Sequence, residues 1–350
     1  MVFRQALRRG FITFLRRGSW CALAAVLAPA FAIAQSVISP PMAQVFTGGK
    51  VYAIARQTDG KVIIGGEFTY VNGVPRSNIA RINSNGSLDL VWNPGADSSV
   101  YALAFDGAGN VIVAGGFLNI GGTSRTGIGK LSLSGSGAAD ATWNPNANGG
   151  VDAMTLDPLG ANIYVGGNFT TIGGQARAYL ARLSLGGTGA ADATWNPNPD
   201  SGGGFADVFV IGVSAIAADT AGNVFVAGNF SHIGGQSLSA LAKLSRNGTG
   251  AADPTWDPHP TRASVAGTKP WYIGPLVLDT ISNALYVAGC YDQIGGQIRG
   301  SLAKLSPTGS GLVDPAGNVY TSGLFGSIRG LPHPWMAKLS GNGTGAADPA

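Results

Sequence analysis

Glutamate occurs once in this chain of 350 residues, at Glu67, and charged residues make up only 11% of it. A single glutamate excludes a glycosidase built on a glutamate pair, while an aspartate pair cannot be picked out among repeated aspartates. So low a charge, against roughly 25% in an ordinary globular chain, also excludes a charge-rich disordered protein or a coiled coil. Two cysteines, Cys21 and Cys290, are too few for a disulfide scaffold. The three histidines, His232, His259 and His333, show no metal-ligand spacing. No Gly-x-Ser-x-Gly elbow or phosphate loop stands out, no cofactor is implied, and no helical period of useful length follows the first residues.

Glycine is what the chain has in abundance: 55 glycines and 19 prolines amount to about a fifth of it. That is below the roughly 25–30% of low-complexity chains, and 45% hydrophobic content is ordinary for a globular one.

Residues 1–34 read as an export signal. Arg4, Arg8, Arg9, Arg16 and Arg17 precede an apolar run from Trp20 to Ile33, and Ala32-Ile33-Ala34 supplies a small-x-small cleavage pattern before Gln35. A membrane anchor is the competing reading, but the run is about 14 residues, where a span needs about 20. Sec export is the default, and Arg8-Arg9-Gly10-Phe11-Ile12 keeps a twin-arginine route open. Removing this leader leaves 17 bases against 18 acids, so the full chain's net charge of +4 comes from the leader. Nucleic-acid binding and stable membrane insertion lose their compositional support. Cys290 is then expected to be the mature chain's lone thiol, packed in the fold.

The remainder is a tandem array. A glycine-rich strand end followed by an aromatic recurs at Phe68, Phe117, Phe169, Phe230, Tyr291 and Phe325, with spacings of 49, 52, 61, 61 and 34. Each unit has an alternating first strand such as Val100 to Phe105, then an Asp-x-x-Gly-Asn turn (Asp106, Asp219, Asp314), then a second strand ending in glycines. A loop with Ile-Gly-Gly follows, then a third strand carrying a basic residue (Arg81, Lys130, Arg182, Lys243, Lys304, Lys338), then a turn into Asp-x-x-Trp with Trp92, Trp143, Trp195 and Trp256. Four short antiparallel strands per unit predict an all-β fold: a β-propeller of four-stranded blades, about six units, the fifth and sixth incomplete. A β-solenoid is the runner-up. From Leu305 to Asp314 is only 9 residues, so a fourth strand and most of the next first strand are missing there. Residues 35–47 are expected to close the ring by supplying the last blade's missing strand, with the propeller spanning 48–350.

Residues 59–94 carry Asp59-Gly60-Lys61-Val62-Ile63-Ile64-Gly65-Gly66-Glu67-Phe68, then Asn72-Gly73, Ile79-Ala80-Arg81-Ile82, and Asn85-Gly86-Ser87-Leu88-Asp89-Leu90-Val91-Trp92-Asn93-Pro94. This pattern resembles the delta-60 repeat family, β-propeller repeats of unknown function from exported bacterial proteins. The resemblance covers about residues 45–350, implies a propeller and brings no catalytic or binding residues. Kelch repeats are a looser match.

The repeated residues have structural readings. Asp106, Asp219 and Asp314 cap their own turns rather than form a calcium ring. The four tryptophans are packing anchors rather than sugar platforms, and the basic series faces the Asp turns as pairing or stem-packing residues. The departures from the repeat are two insertions, 201–209 and 261–273, both just before a first strand and so expected on one face. Phe205, Phe209, Arg262, Lys269, Trp271 and Tyr272 are the candidate binding rim for a protein or a glycan. The function read from this is an exported, non-catalytic interaction or cell-envelope scaffold in the periplasm, at the envelope or secreted from a bacterium. The alternative is a carbohydrate-binding module or carbohydrate-active enzyme on the same fold.

Overall fold

The computed structural model describes residues 45–46, 49–200, 212–261, 273–280, 283–298 and 302–311, with the strands 319–323 and 335–339. The fold is an all-β propeller, with no helix among the described residues. Five units share one three-stranded antiparallel sheet. The inner strands are Lys50–Arg56, Val100–Phe105, Val151–Leu156, Gly212–Ala218 and Ile273–Asp279. Each pairs with a middle strand: Val62–Glu67, Asn110–Gly115, Asn162–Gly167, Asn223–Asn229 or Ala284–Gly289. The outer strands are Ile79–Ile82, Ile128–Ser132, Leu180–Ser184, Leu241–Ser245 and Leu302–Leu305. Inner strands of successive units lie against one another, which places them on the propeller's axis. In the sixth unit Val319–Gly323 pairs with Trp335–Leu339, the counterpart of a middle and an outer strand.

The repeated glycine pair follows from two close approaches. A Cβ on the second glycine (Gly66, Gly115, Gly167, Gly228) would collide with a carbonyl oxygen at the start of the unit's own inner strand. That carbonyl is pushed inward because each inner strand carries a bulge there, at Val51/Ala53, Val100/Ala102, Val151/Ala153 and Val213/Ala215. A Cβ on the first glycine, Gly65 or Gly166, would strike Val100 or Val213 of the next unit. Glycine at the position of Gly66 is thus required by the bulge, whereas the position of Gly65 accepts alanine in other units, as Ala114, Ala227 and Ala288.

The core is divided between units rather than within them. Each of four hydrophobic clusters straddles two successive units and holds one tryptophan, Trp92, Trp143, Trp195 or Trp256, each at most 1% exposed. Burying an indole fully between blades ties the array together, since truncating such a side chain typically costs about 3–5 kcal/mol.

Several elements differ from the sequence expectation in detail. The fourth segment joins each sheet through one bridge, Ile82 to Leu88, Leu131 to Ala139, Leu183 to Ala191 or Leu244 to Ala252. Its aspartate folds the chain into a turn before a ladder can extend. The loop with Ile-Gly-Gly is a small hairpin, such as Asn119–Ile120 against Thr123–Ser124, turning on Gly121 and Gly122 at φ of 63° and 82°. The linker preceding each unit reaches this hairpin: Ala96 bridges Ile120, and Thr261 bridges Gln293. Val45–Phe46 pairs with Tyr70–Val71 in the same manner, so the N-terminal segment occupies the place of a preceding unit's tail. Its approach to the last blade lies outside the described residues. Cys290, expected to pack in the fold, is buried there at 9% exposure.

Candidate functional site

Most polar side chains of the array repeat the same contacts. The Asp106 carboxylate accepts the N–H groups of Ala108 at 2.8 Å and Asn110 at 3.0 Å, and the Asn110 amide at 2.8 Å; Asp219 holds Asn223 in the same way at 2.7 and 2.6 Å. Asp314 lies outside the described residues. In the Asp-x-x-Trp turns, Asp140 Oδ1 accepts from the N–H groups of Thr142 and Trp143 at 2.9 and 3.0 Å, and Asp192 does so from Thr194 and Trp195, both at 2.9 Å. The Trp143 N–H leads the contributions that hold the Asp140 carboxyl below the usual carboxylate range.

The indole Nε1 of Trp92, Trp143, Trp195 and Trp256 donates to the carbonyl of Ser132, Ser184, Ser245 and Ser306 in the following unit, at 2.9 to 3.0 Å. The basic residues of the outer strands depart from expectation. Lys130 meets an Asp turn, at 3.5 Å from Asp106, whereas Arg81, Arg182 and Lys243 pair with Asp89, Asp192 and Asp253 of their own Asp-x-x-Trp turns at 2.9, 2.6 and 3.3 Å. The third strand ends beside that turn, so the nearer carboxylate captures the cation. Among the described residues, no group of three or more potential ligands could hold a metal ion.

The repetition fails at the inner rim. The bulged residue of each inner strand is Tyr52, Tyr101, Asp152, Ser214 or Gly274, five positions with four residue types. The residue closing the middle strand opposite varies too: Glu67, Gly116, Asn168, Asn229 or Cys290. Inner strands begin and middle strands end on one face, so these positions gather around the axis there. Tyr52 and Tyr101 come from adjacent units, with ring centroids 5.7 Å apart at 56° and exposures of 36% and 37%.

The Tyr52 hydroxyl donates to Glu67 Oε2 at 2.9 Å, and Lys50 Nζ stands 3.5 Å from the same oxygen. Partial burial, then the hydrogen bond to Glu67, pushes the Tyr52 hydroxyl up to about 12, and that bond with Lys50 holds the Glu67 carboxyl below its ordinary value. Ser214 Oγ donates to the Ile273 carbonyl of the next unit at 2.6 Å. Asp152 differs: it is half-buried, makes no hydrogen bond or ion pair, and burial alone pushes its carboxyl up to about 6.

This rim was missed by sequence reasoning, which looked for insertions. Its signal was present in the Val-x-Ala pattern opening the first four inner strands, where x alone changes. The candidate residues Phe205, Phe209, Arg262, Lys269, Trp271 and Tyr272 lie outside the described residues. The described ends of both insertions occupy matching places. Asp200 and Thr261 each donate a backbone N–H to the next hairpin, to the carbonyls of His232 and Gln293 at 3.0 and 2.9 Å, and Gly212 and Ile273 open inner strands on the rim's face.

Comparison with known proteins agrees with the propeller. The profile of a family described as "Domain of unknown function (DUF5122) beta-propeller" matches residues 57–90, 162–189 and 222–250, parts of the first, third and fourth units. No curated protein matches the chain. Among solved structures, two forms of the extracellular domain of a B. thetaiotaomicron protein, assigned to the hybrid or the one-component systems, are similar with TM-scores of 0.48 and identities of 12% and 11%. They cover 86% and 95% of this chain, which spans little more than a third of theirs, 36% and 38%. The Cps50 (Swd1) β-propeller domain of Myceliophteria thermophila has a TM-score of 0.48 and 9% identity over 88% of each chain.

Proposed function

We propose that the chain is an exported bacterial propeller of delta-60-type repeats that binds a partner or ligand through the face on which its inner strands begin. It acts there as a non-catalytic interaction scaffold, in the periplasm, at the cell envelope or secreted. The supporting observation is the inner rim: contacts elsewhere recur from unit to unit, whereas Tyr52, Tyr101, Asp152 and Ser214 differ at one equivalent position. Recognition requires such asymmetry, and a concave axis ringed by dissimilar side chains supplies it. The described ends of the two insertions occupy matching places, and in this reading Phe205, Phe209, Arg262, Lys269, Trp271 and Tyr272 would enlarge the surface. No helix among the described residues is long and apolar enough to cross a membrane.

The test is capture of partners by the exported protein, followed by affinity measurement on Tyr52→Ala/Tyr101→Ala and Trp271→Ala/Tyr272→Ala. Weakened binding at an unchanged melting temperature is expected; identical affinity in both variants removes the reading. A carbohydrate-binding module or carbohydrate-active enzyme is the second reading, favoured by the exposed tyrosine pair beside carboxylates. A glycan array with a polysaccharide hydrolysis screen separates the two, and turnover of any polysaccharide rejects the scaffold.

A further inference from the structure

Resting on the rim as a binding face, we propose that its ligand presents an alkylammonium group, seated between the Tyr52–Tyr101 pair and the Asp152 carboxylate. The argument is an inventory of donors and acceptors. Tyr52 spends its hydroxyl proton on Glu67, Lys50 is drawn to the same carboxylate, and Ser214 spends its proton on the Ile273 and Ala227 carbonyls. Among the hydroxyls only that of Tyr101 is uncommitted; Gly116 leaves room for it, since a Cβ there would stand 3.4 Å from the oxygen. Asp152 offers acceptor oxygens with no donor facing them. A neutral sugar needs donors and acceptors in alternation, whereas the described residues offer no donor to the Asp152 carboxylate.

A cationic group needs what the rim holds. It gains a carboxylate that no cation among the described residues neutralises, and the faces of two half-exposed aromatic rings. The strands packed against the Asp152 strand are the inner strands on either side and two middle strands. The titratable side chains of these strands are Tyr101 and Tyr164, so among the described residues no acid or base competes there for the Asp152 proton. A half-buried carboxylate without a partner is costly to the folded protein, and an arriving ammonium offsets that cost.

The exported protein is titrated calorimetrically with cadaverine, with a lysine-containing peptide, and with neutral oligosaccharides. Binding of an amine at pH 7.5 is expected to weaken about tenfold at pH 5, where a carboxyl titrating at about 6 is mostly protonated. Asp152→Asn is expected to lose the binding at both pH values while the fold stays at least as stable, Tyr101→Ala to lose it, and Tyr101→Phe to keep it. Cadaverine and peptide bound alike mark a ligand recognised by its ammonium; peptide alone marks a lysine of a partner protein. Two results overturn the proposal: no amine binding at millimolar concentration, or amine binding unmoved by Asp152→Asn. Oligosaccharide binding lost in Tyr101→Ala but indifferent to Asp152→Asn overturns the ammonium and leaves the rim standing. Binding indifferent to both substitutions overturns the rim as well.

Discussion

Arg246, in the turn after the fourth outer strand, closes on Asp157 of the preceding unit, its Nε 3.0 and 2.8 Å from the two carboxylate oxygens. The Asp157 side chain is fully buried and that of Arg246 a quarter exposed. Removing one partner of such a pair leaves a buried charge unmatched, which typically costs about 3–5 kcal/mol. Arg246→Ala is therefore expected to lower stability by roughly 3 kcal/mol in denaturant titration, and Arg246→Ala with Asp157→Asn to recover part of it.

The tryptophans combine packing with one hydrogen bond to the next blade. Trp143→Phe keeps an aromatic between units but leaves the Ser184 carbonyl without its donor. It is expected to cost about 1–2 kcal/mol, and Trp143→Ala about 3–5 kcal/mol, measured by thermal and chemical denaturation.

Gly167→Ala and Gly122→Ala make a matched test of the bulge. A Cβ at Gly167 would meet the backbone carbonyl of Gly150, which cannot rotate away, whereas one at Gly122 meets nothing within 4 Å. The expected losses are about 2 kcal/mol or more for Gly167→Ala and about 1 kcal/mol for Gly122→Ala, the latter from its φ of 82°.

Asp152 sets a pH dependence of unusual sign. Its carboxyl titrates at about 6 in the fold and near 3.9 when unfolded, so between these values the folded state holds more protons. Its contribution is complete below about pH 4 and is lost as pH rises through about 6. Asp152→Asn is expected to flatten that decline and to raise stability at pH 7.5 by roughly 1–2 kcal/mol, read from melting curves across pH. The Asp140 carboxyl, held low, acts oppositely: its stabilisation exists above the unfolded value and disappears as pH falls through the lower folded one.

Val45–Phe46 occupies the place of a preceding unit's tail, and the first inner strand is open where others are covered. Val51 is 39% exposed and Ile54 64%, whereas Val100, Val151 and Val213 are completely buried and Ile273 is 2% exposed. Deleting residues 35–47 is expected to lower the melting temperature by several degrees, as loss of about 1 kcal/mol or more does in a domain of this size. An unchanged melting curve would sink the ring-closing role.

The blade grammar was legible because local chemistry writes it. Asp106 needs Gly109 and Asn110 at fixed offsets to complete its turn, and Asp140 needs Trp143 three residues on. The small hairpin beginning at Asn119 was read as loop because two-residue strands leave no periodicity. The partners of Arg81 and Arg182 were misjudged because two aspartate turns lie within reach in sequence, and only geometry selects between them.

The repeat, the turns, the strand order within a unit and the tryptophan that each inter-blade core receives are all readable along the chain. These depend on contacts between residues near one another in sequence, or on one pattern copied many times. Which unlike residues meet is a property of the folded ring. Tyr52, Tyr101, Asp152 and Ser214 are separated by 49, 51 and 62 residues. They share one rim because a bulge, made possible by a glycine on the neighbouring strand, holds each at the same height on strands that converge on the axis.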